Sequence, residues 1–555
     1  RGLGDVYKRQ FRIGEDMRIT NQMMINSSMA NIQVNKKQVN TLDTQLSTQK
    51  KINKPSEDPI IAIRALRLRA SLNEVTQYLK KNIPDAQQWL STTQGALTQG
   101  ESVINKLYEY CNQGSADSYA SEQRNTIAES LKALKKTFYD EGNVDYAGRY
   151  VFTGYKTDTT LTYQSDALAA EADYTITQKF GRDDISSKTV YTNAYSNADI
   201  LNLNVSYDAD GNAVMPNVES VYRLRLGYSD VKNTGYSLSY NNTDISFAAD
   251  GTATVTTYQL DANGNKQLDA DGNPITTTTT VNPDANGQYS ITDSTGTALT
   301  FTNTTDKNYI PGDNEIAFNA TTGEVLMGEN VYKQVYTSDS FSFTYQKDNF
   351  IKDDLNPTMY YDCVDNKTGI VYDKVREDVE YNINYAQKIK INTEANEAFD
   401  INLGRDIDDL VTSVQNVLDL ESQISQVESM MKQSQYSDTD SQKKLNSMLS
   451  GLNKQKTLAE DEMTKAFESG IGQMQGYKQT ISLANADVGN RLTRLELTQG
   501  RLTEQFTNVT ESKSANEDID LEDVVVSYTS AQLVYNASLQ AASKVVQQTL
   551  LDFLG

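Results

Sequence analysis

Both ends of this chain carry apolar residues at heptad spacing, and a long stretch of different texture lies between them. Near the start, Ile25, Ile32, Val39 and Leu46 recur every seven residues, and Leu42 fills a second seam position. Near the finish, Leu521, Val525, Tyr528, Tyr535, Leu539, Ala542, Val546 and Phe553 follow steps of four and three, with Gln532 and Thr549 as polar members. Such steps place the side chains on one helical face, and a stripe this narrow suits a helical partner better than a globular core. Two ends that want the same kind of partner predict a helical stalk where they meet, with the middle as an insertion. A thin seam also buries too little surface to order an isolated helix. The sequence therefore predicts that each end gains its partner on assembly with neighbouring copies, and it points to assembly ahead of catalysis.

A chain of 555 residues exceeds one ordinary domain. It has no histidine, which removes Ser-His-Asp and Cys-His machinery and His-containing zinc sites. Carboxylate pairs are abundant among 74 acidic residues, so no pair stands out as catalytic, and the expectation is no enzyme, no cofactor and no metal. The two cysteines, Cys111 and Cys363, are far apart and form no disulfide framework. Between Met17 and Tyr150 there are 17 Lys+Arg against 13 Asp+Glu, whereas 30 face 58 after Tyr150. So acidic a bulk argues against nucleic acid or an anionic membrane as partner. No run of apolar residues is long enough to span a membrane, and the start lacks the apolar core of a secretory signal.

The texture divides the chain. Residues 1–16 lack the polar helical texture that begins at Met17, and Met17 reads as the initiator. A first helix occupies 17–52 and helical sequence continues over 53–155, opened by Lys54-Pro55-Ser56-Glu57-Asp58-Pro59, where Pro59 suits a first helical turn. In this stretch a helix runs through Ile60, Ile63, Leu66, Leu72, Val75 and Leu79 toward Trp89-Leu90, and Pro84 reads as a kink or break. Residues 156–390 are rich in Thr, Tyr, Asn, Asp and Gly with alternating apolar positions, which predicts a β-rich domain. Helical texture resumes over 391–520, and a last helix takes 521–555. The fold class is thus mainly α with a β insertion, on a discontinuous helical stalk built from both terminal parts.

Four cassettes recur in the β-rich part: Asp208-Ala-Asp-Gly-Asn212, Asp261-Ala-Asn-Gly-Asn265, Asp269-Ala-Asp-Gly-Asn273 and Asp284-Ala-Asn-Gly-Gln288. Their alternating oxygens resemble the start of a calcium loop, but the glycine stands at the fourth position and not the sixth. Hairpin turns of type I′, using the positive φ of Asn-Gly and Asp-Gly, are the better reading.

Ile52-Asn53-Lys54-Pro55-Ser56-Glu57-Asp58-Pro59 followed by Arg64-Ala65-Leu66-Arg67-Leu68-Arg69-Ala70 resembles the flagellin family. Met17–Thr20, Asp85–Thr93, Gly148–Thr159 and the ending from Leu539 to Leu554 are similar to its members at the junction of hook and filament. The resemblance covers roughly Met17–Asp158 and Gly489–Gly555. It implies an extracellular structural subunit of the bacterial flagellum that joins hook to filament. Its implied partners are further copies of itself, a hook-side junction protein, flagellin and a flagellar export chaperone. It also implies export through the flagellar type III apparatus without a cleaved signal. The alternatives are filament flagellin, or a surface protein whose β insertion binds a ligand or calcium.

Overall fold

The computed structural model describes residues 21–116, 121–261, 265–338, 340–374 and 378–551. The segment 1–16, Phe553 and the side chain of Val546 lie outside the described residues. The chain is mainly helical with a β-rich insertion. Its long helices are α1 (Asn21–Thr48), α2 (Pro59–Gln77), α3 (Ile83–Gly114), α4 (Ser121–Asp140), α5 (Ile401–Met431), α6 (Thr439–Glu517) and α7 (Leu521–Leu551). The described residues form two compact units, one drawn from 21–84, 382–387 and 496–551, the other from the described residues of 85–381 and 388–495.

In the second unit, α3 and α6 pack as heptad helices. Leu90, Leu97, Ile104 and Cys111 stand seven apart and are fully buried, as are Met474, Ile481 and Val488 on α6. Small residues permit the close approach. A Cβ added at Gly114 would meet the Phe467 ring at 2.4 Å, and one at Gly470 would meet Cys111 Sγ at 3.3 Å. Burial pushes both thiols, Cys111 and Cys363, up to about 12, so each behaves as a small apolar side chain. The α4 helix locks to the start of α5 through Tyr139, whose Oη donates to Asp400 O at 2.8 Å and accepts from Gly404 N–H at 2.9 Å.

The insertion is a β-sandwich. A six-stranded sheet runs in the order Gln288–Thr292, Ala298–Asn303, Glu315–Asn319, Glu324–Met327, Asn217–Arg225, Ser186–Thr192. An eight-stranded sheet runs Val371–Tyr372, Asp362–Asp365, Tyr174–Phe180, Phe341–Lys347, Ser237–Tyr240, Thr243–Phe247, Ala253–Tyr258, Thr276–Val281. Neighbouring strands are antiparallel, except that Ala298–Asn303 and Glu315–Asn319 are parallel. Aromatic rings fill the space between the sheets. Tyr236 lies 4.6 Å from Phe247, 4.9 Å from Phe318 and 5.7 Å from Phe343, and Phe247 lies 4.4 Å from Phe301. Each such ring removes about 150–250 Å² from water and dominates the local packing energy.

A buried ionic network ties the sandwich to α5. Arg223 reaches Glu324 at 2.6 Å and Asp409 at 2.5 Å, while Arg225 pairs with Asp406 and reaches Asp409 at 2.8 Å. Lys188 closes on Glu324 at 2.6 Å, and Tyr477 Oη donates to Asp406 at 2.6 Å. The Arg223 and Arg225 guanidiniums hold the Asp409 carboxyl below its usual range, against the opposing effect of burial.

The DAQQWL and GRYVFTG segments meet in this unit. Trp89 packs edge-on against Tyr146 at 6.2 Å, and the Arg149 guanidinium sits 4.9 Å above its ring. The Asp85 carboxylate accepts from Tyr146 Oη at 3.0 Å and from Tyr381 Oη. These motifs therefore serve a packing hub.

The cassettes close turns of another type than the sequence suggests. In Asp208–Asn212, Gly211 N–H donates to Asp208 O at 3.1 Å, Asp208 N–H donates to Asn212 O at 2.9 Å, and only Gly211 has positive φ. That is a type I turn followed by a glycine bulge, not a type I′ turn. Asp269–Asn273 and Asp284–Gln288 repeat it. Residues 262–264 of the remaining cassette lie outside the described residues. The first aspartate's Oδ1 accepts two backbone N–H groups in each fully described cassette, so that oxygen faces its own loop. Type I′ turns do occur, at Ala147-Gly148 and Asn241-Asn242, where two successive residues have positive φ.

Candidate functional site: the paired terminal helices

The first unit is organised around α1 and α7, which pack against each other within one chain. This differs from the expectation that each end finds its partner only in neighbouring copies. The physical reason is complementarity: each helix presents a narrow half-buried seam that the other can cover.

On α1 the half-buried seam positions are Ile25, Ser28, Ile32, Asn35, Val39, Leu42 and Leu46, in steps of three and four, and Gln45 beside Leu46 is half-buried too. The five apolar seam residues named from the sequence all lie on this face. Ser28 and Asn35 fill the intervening positions. Asn35 Nδ2 donates to Ser538 Oγ at 2.6 Å, a polar pair set into an apolar seam. A half-buried amide of this kind fixes the register of the two helices.

On α7 the inward positions are Val524, Tyr528, Ala531, Tyr535, Ser538 and Ala542, again in steps of four and three. Tyr528 and Tyr535 are where the sequence puts them. Leu521, Val525 and Leu539 are not: they are 52%, 45% and 42% exposed. The seam turns one residue away from them: Val524, Ala531 and Ser538 alternate with Tyr528 and Tyr535 on the inner face, while Leu521, Val525 and Leu539 point out. Met23, Met29 and Val34 on α1, and Val526, Leu533 and Val534 on α7, are exposed as well.

A clasp ties the base of this helix pair to the neighbouring helices α2 and α6. After α1, Gln49 adopts φ 57° and turns the chain, so that Lys50 bridges Asp518 in antiparallel fashion. Lys51 N–H donates to Glu517 O at 2.7 Å, and Ile519 N–H donates to Gln49 O at 3.3 Å. Glu517 is 3% exposed and receives both ends of the Arg69 fork, Nε at 2.8 Å and Nη2 at 2.7 Å. Lys50 pairs with Asp518 and stands 3.8 Å from Glu517. The Arg69 hydrogen bonds hold the Glu517 carboxyl below its usual range, and the Lys50 bond does the same for Asp518. Arg69 comes from α2, which starts at Pro59 under an Asp58 cap: Asp58 Oδ1 accepts from Ile60 N–H at 2.9 Å and Ile61 N–H at 3.1 Å.

The inward face of α2 is Ala62, Ala65 and Val75, whereas Ile60, Ile63 and Leu66 are exposed. Small residues again take the contact and large ones face out. Before Pro84, which has no N–H to donate, the helix widens into a π-turn over Tyr78–Asn82, where Ile83 N–H donates to Tyr78 O. Among the described residues no cluster of His, Cys, Asp and Glu is arranged to hold a metal ion, and no helix is long and apolar enough to cross a membrane.

The geometry is that of a two-helix pair returning to a common base, and the matching family model covers the N-terminal half of it. Residues 19–157 match the bacterial flagellin N-terminal helical region. The chain is 28% identical over 165 residues to flagellar hook-associated protein 3 of Salmonella typhimurium, over 29% of this chain and 51% of that protein. It is 30% identical over 145 residues to flagellar hook-associated protein 3 of Escherichia coli, over 26% of this chain and 45% of that protein. The chain spans about half the length of the curated relatives it matches. Two solved structures are similar across most of the chain. FlgL of Xanthomonas campestris has 14% identity and a TM-score of 0.29, covering 80% of this chain and 99% of its own. The flagellar junction protein FlgL of Legionella pneumophila has 12% identity and a TM-score of 0.27, covering 82% and 100%.

Proposed function

We propose that this chain is a structural subunit of the bacterial flagellum that joins hook to filament through its terminal helices. The supporting observation is the α1–α7 pair, a narrow seam with a polar register pin and apolar residues left on its outside. Met23, Met29, Val34, Val526, Leu533 and Val534 give that outside more apolar surface than a solvated helix pair needs. Helices of neighbouring copies would cover it in a ring or helical array, through contacts that are the same from copy to copy. The seam residues Ile25, Ile32, Val39, Leu42, Leu46, Tyr528 and Tyr535 hold the pair, and Leu521, Val525 and Leu539 belong to the outer assembly surface. A hook-side junction protein and flagellin flank the array. Before assembly a flagellar export chaperone covers the terminal helix, and the type III apparatus carries the chain out without signal cleavage. No catalytic step is part of this role.

The test is addition of the purified chain to isolated hook ends, read by electron microscopy. The double variant Leu533→Asp with Val534→Asp should keep the fold, since both side chains are exposed, and should lose capping of the ends. Capping by the variant at wild-type level would remove the outer face from the mechanism. Growth of long filaments from the chain alone would favour a filament flagellin.

A further inference from the structure

The strand Thr276–Val281 closes one edge of the eight-stranded sheet and reads Thr-Thr-Thr-Thr-Thr-Val, with all five threonines exposed. Its hydrogen-bonding direction follows from the register of its neighbours. Tyr258 N–H donates to Asn242 O at 3.2 Å, so Tyr258, Thr256 and Thr254 spend their backbone groups on the strand Thr243–Phe247. The alternate residues Thr257, Val255 and Ala253 then pair with Thr277, Thr279 and Val281. The N–H and C=O groups of Thr276, Thr278 and Thr280 therefore point away from the sheet. Among the described residues no further strand pairs with them.

Sheet edges are normally blunted by a charge, a proline, a bulge or a covering segment. This edge has no charge or proline within its length: Pro274 and Pro283 lie outside it, and no residue from Thr276 to Val281 is ionisable. In a chain of net charge −23, a charge-free, β-branched strand is a place where two copies can meet without like-charge contact on the strand itself.

We propose that Thr276–Val281 is a self-docking edge, which pairs antiparallel with the same strand of a second copy across a two-fold axis at Thr278. That register sets Thr278 opposite Thr278 and Thr276 opposite Thr280, each pair exchanging two backbone hydrogen bonds. The occupant is a second copy because the strand is self-complementary. It repeats threonine–threonine pairing the chain already builds on its inner side, at Thr254–Thr280, Thr256–Thr278 and Thr257–Thr277. One short strand pair falls well below the roughly 1,200 Å² of a stable interface, so the contact is weak in dilute solution and fills when copies are crowded.

Cysteine cross-linking on the full chain at high concentration tests this, because both native cysteines are buried and stay silent. Thr278→Cys brings its thiol opposite itself in the two-fold pair, whereas Thr277→Cys stands on the order of 8 Å from its own copy, beyond disulfide reach. Thr278→Cys should form disulfide dimers about tenfold faster than Thr277→Cys. Adding Thr276→Lys and Thr280→Lys to Thr278→Cys should bring its rate down to that of Thr277→Cys. Contacts between terminal helices do not predict this ordering. Equal rates for the two cysteines, or a Thr278→Cys rate that ignores the lysines, would overturn the proposal.

Discussion

The terminal helix pair and the β-sandwich stabilise themselves by opposite means. The sandwich surrounds Tyr236, Phe247, Phe301, Phe318 and Phe343 with two sheets and is tied to α5 by an Arg–Asp–Glu network. The helix pair relies on one half-buried seam, in which Ser28, Asn35, Ser538 and small alanines take positions that Leu would fill in a strong coiled coil. A region that holds itself needs no neighbour, whereas a region held by one seam keeps surface and stability in reserve for one. The difference in packing is the physical content of the assembly role proposed above.

The largest loss is expected inside the sandwich. Phe343→Ala removes a fully buried ring that packs near Tyr236 and Phe318, and should cost about 3–5 kcal/mol in denaturant unfolding of the second unit. The terminal helices should keep their own exchange rates in that variant. Next in size is Arg225→Met, which leaves Asp406 buried without its partner. It should cost about 3 kcal/mol by the same measurement, with Asp406→Asn restoring part of the loss.

Smaller effects belong to the helix pair and its clasp. Glu517 and Asp518 are held as carboxylates below their unfolded range, so their contribution to the clasp is complete above about pH 4.5. It is lost as pH falls through the lower folded values. Because Arg69 is half exposed, Glu517→Gln should cost only about 1 kcal/mol, seen as faster amide exchange at Lys51 and Ile519, and it should flatten that acid dependence. Gln49→Gly should stabilise the turn after α1 by a few tenths to about 1 kcal/mol, since glycine accepts positive φ without strain. A loss of stability on that change would show that the Gln49 side chain, and not its backbone, matters.

The mainly helical layout with a β insertion was readable because helix and strand periods differ and the change is abrupt near Gly148. The α1 face was readable because its outward residues are mostly polar, leaving Ile25, Ile32, Val39, Leu42 and Leu46 as a single stripe. Ser28 and Asn35 escaped notice, since a polar seam residue looks like a surface residue until its partner Ser538 is in view. The α7 sequence carries apolar residues on either side of its seam, so its spacing admits two neighbouring faces. Only the partner helix decides between Val524-Ala531-Ser538 and Leu521-Val525-Leu539. The same ambiguity holds on α2, where Ala62 and Ala65 face in and Ile60, Ile63 and Leu66 face out. The Arg225–Asp406 pair spans 181 residues of sequence, and no local pattern could have joined its members.

If α1 and α7 hold each other through one marginal seam, neither can open alone. Hydrogen exchange on the purified monomer, resolved over 21–48 and 521–544, reads this directly. Both helices should open together, with matching protection well below that of the strands around Phe343 and Tyr236, and Asn35→Ala should lower both by the same factor. Protection equal to the sandwich core, or one helix staying closed while the other exchanges freely, would rule out the marginal seam.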